Sequence, residues 1–586
     1  MAIGAGMRFE MRQSGSPTNG GGFNGGRGAA QLTLTDLACT AGSTTVTSAT
    51  GGFTADMVGC ALVITVSGTW RPGQYLIATR ASANAVTLLH TPCPLVAGTA
   101  GSGTVSAGKD YAQSDTGISI GTVTIPSAAN TTLTTSSISG ITAAMVGNMV
   151  YLALAGGAGG TAGWYEIVSV ESTTACTLDR ATGVSGSNVT GVTSDGSVVR
   201  VGGAVYIVNG TTLTLFFSTF TAGNKLWVKA GTYALTTAAV TAGTAGTTSA
   251  PIFVEGFNTV RGDSPTGLNR PLIDGGAYQI TFAVGWHLRN LRGTSTASTT
   301  WYMTNSSYGS AYNCKVTNTN TTAGDGFRAH LCRVTNCEFI AVAGIALASA
   351  GGATSNCWMH DSVTGFTLAS ATVITGCLIE NCQIGLSGTA TPQHTIDACT
   401  WVGCGSAVKM TTTASAWSIR NNIFAHNTVG LNWSGGTNYP DHNLFTNNFF
   451  GNGTDVVSVT RGVFDTAYDP AFRGLRSWND LVLVSHSGTT SCVVTSATGG
   501  FTSYLQAGDY IWTDASAGWT SGTWRVVSVD SATQITLAYS GGFPAADGAT
   551  GGKAKSLRTA VGVSDCRPGV ASLVLTAGLG LTLGVG

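Results

Sequence analysis

Apolar and polar residues alternate in short runs along most of this chain, and clusters of Gly, Asn, Ser and Asp separate the runs. Alternation with a period of two puts successive side chains on opposite faces of an extended strand. The pattern therefore predicts many half-buried β-strands joined by tight turns. Tyr165, Ile167 and Val526 sit on the apolar side of such runs. The C-terminus is the most regular case. Leu573, Leu575, Leu579, Leu581, Leu583 and Val585 share one parity, with Thr576, Gly580, Thr582 and Gly584 on the other. A strand with one greasy face is an aggregation hazard unless something covers it. Leu579, Leu581, Leu583 and Val585 are therefore expected contacts of a homo-oligomer, taken as a trimer. The alternative is a strand tucked under its own neighbouring module.

The runs recur in two repeat systems. The first is a small module seen three times. VTSATGGFT occurs at 46–54 and again, letter for letter, at 494–502, with a divergent copy around 134–147. The following segments align without gaps: GQYLIATRASANAVTL from Gly73, GWYEIVSVESTTACTL from Gly163 and GTWRVVSVDSATQITL from Gly522. Each copy reads as an antiparallel module of about four or five short strands. The second system holds LWVKAGTYAL (226–235), PIFVEGF (251–257), PLIDGG (271–276) and WHLRNLRG (286–293). A cysteine period follows: YNCKVTN, TNCEFIA, SNCWMHD, TGCLIEN, DACTWVG, and then RNNIFAHN and TNNFFGN. A second phase lies halfway between: GFRA, GIAL, GFTL, IGLS, AVKM and VGLN. A repeat of roughly 20–25 residues with Gly and Asn corners is the signature of stacked β coils. Cys314, Cys337, Cys357, Cys377 and Cys399 are expected as one internal ladder, with Phe339 and Met359 also pointing inward. Asn336 and Asn356 are expected at a corner, where Asn tolerates left-handed backbone.

LWVKAGTY followed by these coils resembles the pectate-lyase-like β-helix superfamily. The head RFEMRQSGSPTNGGGFN, followed by the duplicated modules, is similar to tailed-phage virion proteins. The first resemblance implies a right-handed parallel β-helix; the fold class expected is all-β, a β-helix flanked by small antiparallel modules. The organisation expected is a glycine-rich N-terminal arm (1–30), modules at 31–110 and 111–203, the β-helix at 204–475, a third module at 476–552 and an apolar tail at 553–586. The arm, with TNGGGFNGG, is expected as a flexible linker or a docking arm for other virion proteins.

Composition narrows the function. Lys and Arg number 27, Asp and Glu 27, and charged residues are only 9% of the chain, against roughly 25% in an average domain. Without excess positive charge there is no field for a nucleic-acid backbone. An apolar content of 43% at zero net charge is opposite to the signature of disorder. No run of ~18 apolar residues predicts a membrane helix. The first residues lack the charged and apolar regions of a secretory signal, so synthesis in a host cytoplasm with reduced cysteines is expected. No Cys/His spacing marks zinc, and neither metal nor cofactor is expected.

Candidate chemistry is sparse. Counted from the ladder cysteine, Glu338 lies at +1, His360 and Glu380 at +3 in successive coils, and Asp361 at +4. Stacking brings these four together as the candidate catalytic cluster, two carboxylates being what glycoside hydrolysis requires. The clustered aspartates of superfamily lyases are missing. Trp301, Tyr302, Trp358, Trp401 and Trp433 are the candidate glycan contacts. Arg261-Gly262-Asp263 spells an integrin-type tripeptide, read as coincidence. The leading expectation is a virion structural protein (tail spike, fibre or head decoration) that contacts host-surface polysaccharide by binding rather than turnover. The rivals are a polysaccharide-degrading tailspike enzyme and a bacterial surface adhesin.

Overall fold

The structure, a computed structural model, describes residues 3–556 apart from 128–129, 136–139, 154–159, 184–189, 194–197, 304–307, 389–393, 411–416, 434–442, 446–447, 451, 458–476 and parts of 488–547. The apolar tail with Leu579, Leu581, Leu583 and Val585 lies outside the described residues. The chain is all-β, a parallel β-helix with small antiparallel sheets, and divides into two compact units, Met1–Arg292 and Gly293–Gly586.

In the first unit, module 1 closes into a six-stranded barrel from Ala30–Cys39 to Gly98–Lys109. Leu37, Val46, Leu62, Ile77, Val86 and Val105 fill it. Module 2 forms an eight-stranded sheet between Ile118 and Val201. A short helix, Gly210–Ser218, follows; Asn209 caps it by accepting from the Thr212 amide at 3.0 Å, satisfying one of the orphan N–H groups. The alternation gave no sign of this helix. Its Phe216 and Phe217 pack on Phe9, Trp164 and Trp286. Parallel strands Lys225–Lys229, Ile252–Phe257 and Trp286–Arg289 then stack in register.

The N-terminal segment is not a flexible arm. Arg8–Met11 pairs in parallel with Lys225–Val228, and Met7 and Phe9 are wholly buried. A side chain at Gly20 would place its Cβ 1.8 Å from the Met149 carbonyl oxygen. The glycines there serve close backbone approach, which composition alone could not distinguish from a linker.

In the second unit seven coils run from Thr299–Met303 to Asn448–Phe450. Two inner ladders confirm the two sequence phases. Val316, Phe339, Met359, Ile379, Trp401 and Phe424 align on one side. Phe327, Leu347, Phe366, Leu386, Val408 and Leu431 align on the other. All twelve are fully buried, and each such side chain contributes roughly 1.5–3 kcal/mol of burial. The corner before each ladder cysteine, and before Asn422 in the coil that follows them, is left-handed: φ is 51° at Asn313, 54° at Asn336, 52° at Asn356, 61° at Gly376, 54° at Ala398 and 58° at Asn421.

The five ladder cysteines are all buried and free. Each thiol donates to the carbonyl two residues back, as Cys337 does to Thr335 at 3.2 Å and Cys357 to Ser355 at 3.2 Å. Sulfur also accepts the amide of the coil before it, Cys314 N to Cys337 Sγ at 3.4 Å. In the coil after Cys399, Asn422 takes over, its Oδ1 accepting from Cys399 N at 2.9 Å. A second polar ladder, unmarked in the sequence reading, runs along the following corner through Ser362, Cys382, Cys404 and Asn427. Here Ser362 and Cys382 donate to the carbonyls of His360 and Glu380, and Asn427 accepts from Cys404 N at 2.9 Å.

The third module is again a six-stranded barrel, from Ser477–Ser487 to Gly552–Ser556. Its last strand runs past 552, so residues 553–556 belong to it and not to a tail. The long hairpins of the three modules carry bulges at matching places, at Ile77/Thr79, Ile167/Ser169 and Val526/Ser528.

Candidate functional site

The coil register brings the sequence-predicted cluster together. Glu338 pairs in register with Trp358, and His360 with Glu380. His360 Nδ1 lies 2.7 Å from Asp361 Oδ2, and its Nε2 lies 3.2 Å from Glu338 Oε1. Lys315 Nζ, one coil earlier, reaches the same Glu338 oxygen at 2.6 Å. Trp358 stacks on the imidazole with centroids 3.9 Å apart. The His360 side chain is only 6% exposed, and Glu380 is fully buried.

Burial works against the charge on Glu338, but hydrogen bonds from His360 and Lys315 outweigh it and hold the carboxyl down to about 2. Burial likewise disfavours a charged His360, yet Asp361 and Glu338, with the charge of Glu380, raise its pKa. The result is an ion-pair chain, Lys315–Glu338–His360–Asp361. A general acid must carry a proton and a general base must be free to take one. Here Glu338 is ionised and both imidazole nitrogens are engaged. The arrangement ties neighbouring coils together.

The aromatic candidates separate. Trp301, Trp401 and Trp433 are 1%, 0% and 2% exposed; they face the interior of the coils, where no sugar reaches. Their burial was invisible because the apolar ladders recruit Trp as readily as Phe. Trp358 and Tyr302 are partly exposed. Trp358 is stacked on His360, and Tyr302 meets the His330 ring edge-on at 6.0 Å. In the Arg261 tripeptide the arginine points inward, while Gly262 and Asp263 are exposed. Arg261 is buried and pairs with Glu10 and with Asp110 at 2.5 Å, while the Asp263 carboxylate accepts the amides of Asn258, Thr259 and Val260.

A second polar surface lies in the first unit. Strand alternation projects Lys225 and Trp227, Phe253 and Glu255, and His287 and Arg289 to one side. Register sets Lys225 beside Phe253 beside His287, and Trp227 beside Glu255 beside Arg289. Lys225 Nζ is 2.6 Å from Glu255 Oε2 and 3.5 Å above the Trp227 ring. The Arg289 guanidinium lies 4.9 Å from the centre of the Phe253 ring. His90, from module 1, stacks on Trp227 at 6.2 Å. Burial drives Lys225 down to about 8 against the pull of Glu255, and Arg8 and Arg289 add repulsion. Burial also lowers His90 and His287. The motifs containing these residues were recognised as coils. Aligning KLWVK, IFVEGF and WHLR strand against strand is the step that reveals the row.

Among the described residues no group of three or more His, Cys, Asp or Glu is placed to hold a metal ion. The ladder thiols spend their sulfur on backbone groups.

The family described as Periplasmic copper-binding protein (NosD) matches residues 279–470. No curated protein matches the chain. Among solved structures, pectate lyase Pel9A is 13% identical, with 44% of this chain and 76% of that chain covered and a TM-score of 0.34. The tailspike protein of Acinetobacter phage vB_ApiP_P1 is 12% identical, with 59% and 79% covered and a TM-score of 0.29. The tailspike protein gp49 from Pseudomonas phage LKA1 is 11% identical, with 77% and 82% covered and a TM-score of 0.21.

Proposed function

We propose that this chain is a virion structural protein of a tailed phage, a spike, fibre or decoration element that binds host-surface glycan along its β-helix. One observation carries the binding half of this reading. The coils present stacked, in-register rows of outward, mostly polar side chains on a charge-poor scaffold, such as Tyr302, Arg328, Ala348, Thr367, Ser387, Lys409 and Asn432, and such rows suit a repeating polymer. The virion half rests on the resemblance of the head and its duplicated modules. Binding is favoured over turnover because Glu338 is paired with Lys315 and His360, and Asp361 with the other nitrogen of His360. One observation favours the enzyme reading: Lys225, down to about 8 beside Glu255, is a base within reach of neutral pH.

The test is incubation of the protein with purified host-surface polysaccharide, read by co-sedimentation and by reducing-end and unsaturated-uronate assays. Retention with both assays blank is expected. Released ends would establish the enzyme instead, and no retention would remove the glycan reading. Imaging of the assembled particle with a labelled chain tests the virion assignment.

A further inference from the structure

We infer that Cys39 and Cys93 form a latent disulfide that locks the first barrel, reduced while the chain is inside a cell and closed once it meets an oxidising low-molecular-weight disulfide. Neither the glycan reading nor the virion reading is needed for it.

Cys39 ends the strand Ala30–Cys39, and Cys93 lies between the strands Ala85–Leu88 and Gly98–Lys109. Cys39 pairs with Gly98 across the sheet. The Cys93 sulfur sits on that same glycine, where an added Cβ would lie 2.6 Å from it. Paired residues on antiparallel strands have Cα atoms about 4.5–5.5 Å apart, so Cys93 Sγ stands within reach of the Cys39 side chain. The Gly42 amide donates to the Cys93 carbonyl at 2.8 Å, which pins the two segments together. The two thiols act on one another's protons. Both belong to the barrel core, 5% and 0% exposed, yet their cover is thin. Thr40, Ala41 and Gly42 on one side and Leu95, Val96 and Ala97 on the other are exposed.

A buried cysteine by itself is a small hydrophobe, and the third barrel shows what packing asks for at this place. Val46 and Val494 are the same letter of the repeated nonapeptide, and their cross-strand partners are Cys39 and Leu483. Leu483 is fully buried, so hydrocarbon meets the packing need. In the first barrel sulfur stands there instead, with a second sulfur set against it. Cys60, in the same core, spends its thiol on the carbonyls of Asp56 and Ala107. The ladder thiols of the β-helix also neighbour one another, but parallel register holds them and backbone groups engage them. Cys93 stands in irregular backbone, which can take up the geometry that a bridge demands. In closure one thiolate attacks the oxidant disulfide and expels a thiol, and the second attacks the mixed disulfide and expels the other. Two S–H bonds are lost and one S–S bond forms, while the oxidant is reduced to two thiols that carry off the protons. Burial, with the neighbouring thiol, pushes Cys39 up to about 11, and burial raises Cys93. Thiolate is therefore scarce at neutral pH, and closure is slow unless the solution is alkaline.

The experiment incubates the purified full chain at mildly alkaline pH with reduced or with oxidised glutathione. Free thiols are then alkylated, peptides are mapped without reduction, and melting is followed in parallel. Oxidised glutathione should join Cys39 to Cys93 and leave Cys60 alkylated. The bridge closes a long loop, so the melting temperature of the first barrel should rise by about 5–15 °C and fall back on reduction. Cys93→Ala should abolish both the linked peptide and the rise, and Cys39→Leu, which copies the third barrel, should do the same. The wild-type peptide map decides even where a variant does not fold. Alkylation of both cysteines after oxidation, glutathione left on either thiol without closure, or bridges among the ladder cysteines in place of this one overturns the site. A bridge between Cys39 and Cys93 without the rise in melting temperature overturns the lock.

Discussion

Ala398 occupies a corner where its counterparts are Asn313, Asn336, Asn356, Gly376 and Asn421, and it adopts φ 54° there without a side chain that suits it. Left-handed backbone costs an L-residue roughly 1–2 kcal/mol, and Asn or Gly escapes most of that. Ala398→Asn should therefore stabilise the second unit by about 0.5–1 kcal/mol, measured as a higher denaturation midpoint at constant slope. At the neighbouring ion-pair chain, pH sets the sign. His360 is raised above its ordinary 6.5, so its contribution is complete below 6.5 and fades as pH rises through the raised value. Glu338 is lowered from 4.5 to about 2, so its contribution is complete above 4.5 and fades as pH falls towards 2. The coils around Met359 should be most protected between these limits. Hydrogen exchange followed across pH should show that maximum in the Trp358–His360 strand, and His360→Ala should flatten its alkaline side.

The repeated nonapeptide acquires a meaning at the level of the hairpin. In the first barrel Ser48 Oγ donates to Asp36 at 2.6 Å, the Thr50 amide donates to the same carboxylate at 2.7 Å, and Gly51 N donates to Ser48 Oγ at 3.0 Å. In the third barrel Ser496 Oγ and the Thr498 amide donate to Asp480 at 2.7 and 2.6 Å, and Gly499 N donates to Ser496 Oγ at 3.1 Å. VTSATGGFT is thus a turn clamped to an aspartate on the preceding strand. Ser48 and Ser496 are buried, and replacing either with Ala leaves the buried Gly51 or Gly499 amide without its acceptor. Ser496→Ala should cost the third barrel about 1–2 kcal/mol, and Ser48→Ala the first barrel a like amount, each seen as a lower melting temperature of its own transition. Strands, coils, corner asparagines and duplicated hairpins were legible because each leaves a local period. Barrel closure was not, since it depends on pairing Ala30–Cys39 with Gly98–Lys109, which no local period records. The helix at Gly210–Ser218 was missed because Thr and Phe carry little helical signal.

Across the whole chain, sequence reasoning found where charges cluster but not what each cluster is committed to. Glu338, His360 and Asp361 were placed correctly side by side, yet their burial and mutual pairing emerge only when the coils are stacked. The row from Lys225 to Arg289 was overlooked for the converse reason. Its members are spread over 65 residues of sequence and come together through registry alone. Composition misled at the N-terminus, where glycines that permit close packing look the same as glycines that confer freedom. The two polar corner ladders carry one more consequence. Both change from sulfur to amide at the same coil, Cys399 giving way to Asn422 and Cys404 to Asn427. Oxidation therefore acts unevenly along the β-helix. Peroxide that penetrates a breathing coil threatens the stretch from Cys314 to Cys404, whereas Asn422 and Asn427 hold the same ladder places with no sulfur to attack. Under oxidant this fold would fail first in its cysteine-bearing coils.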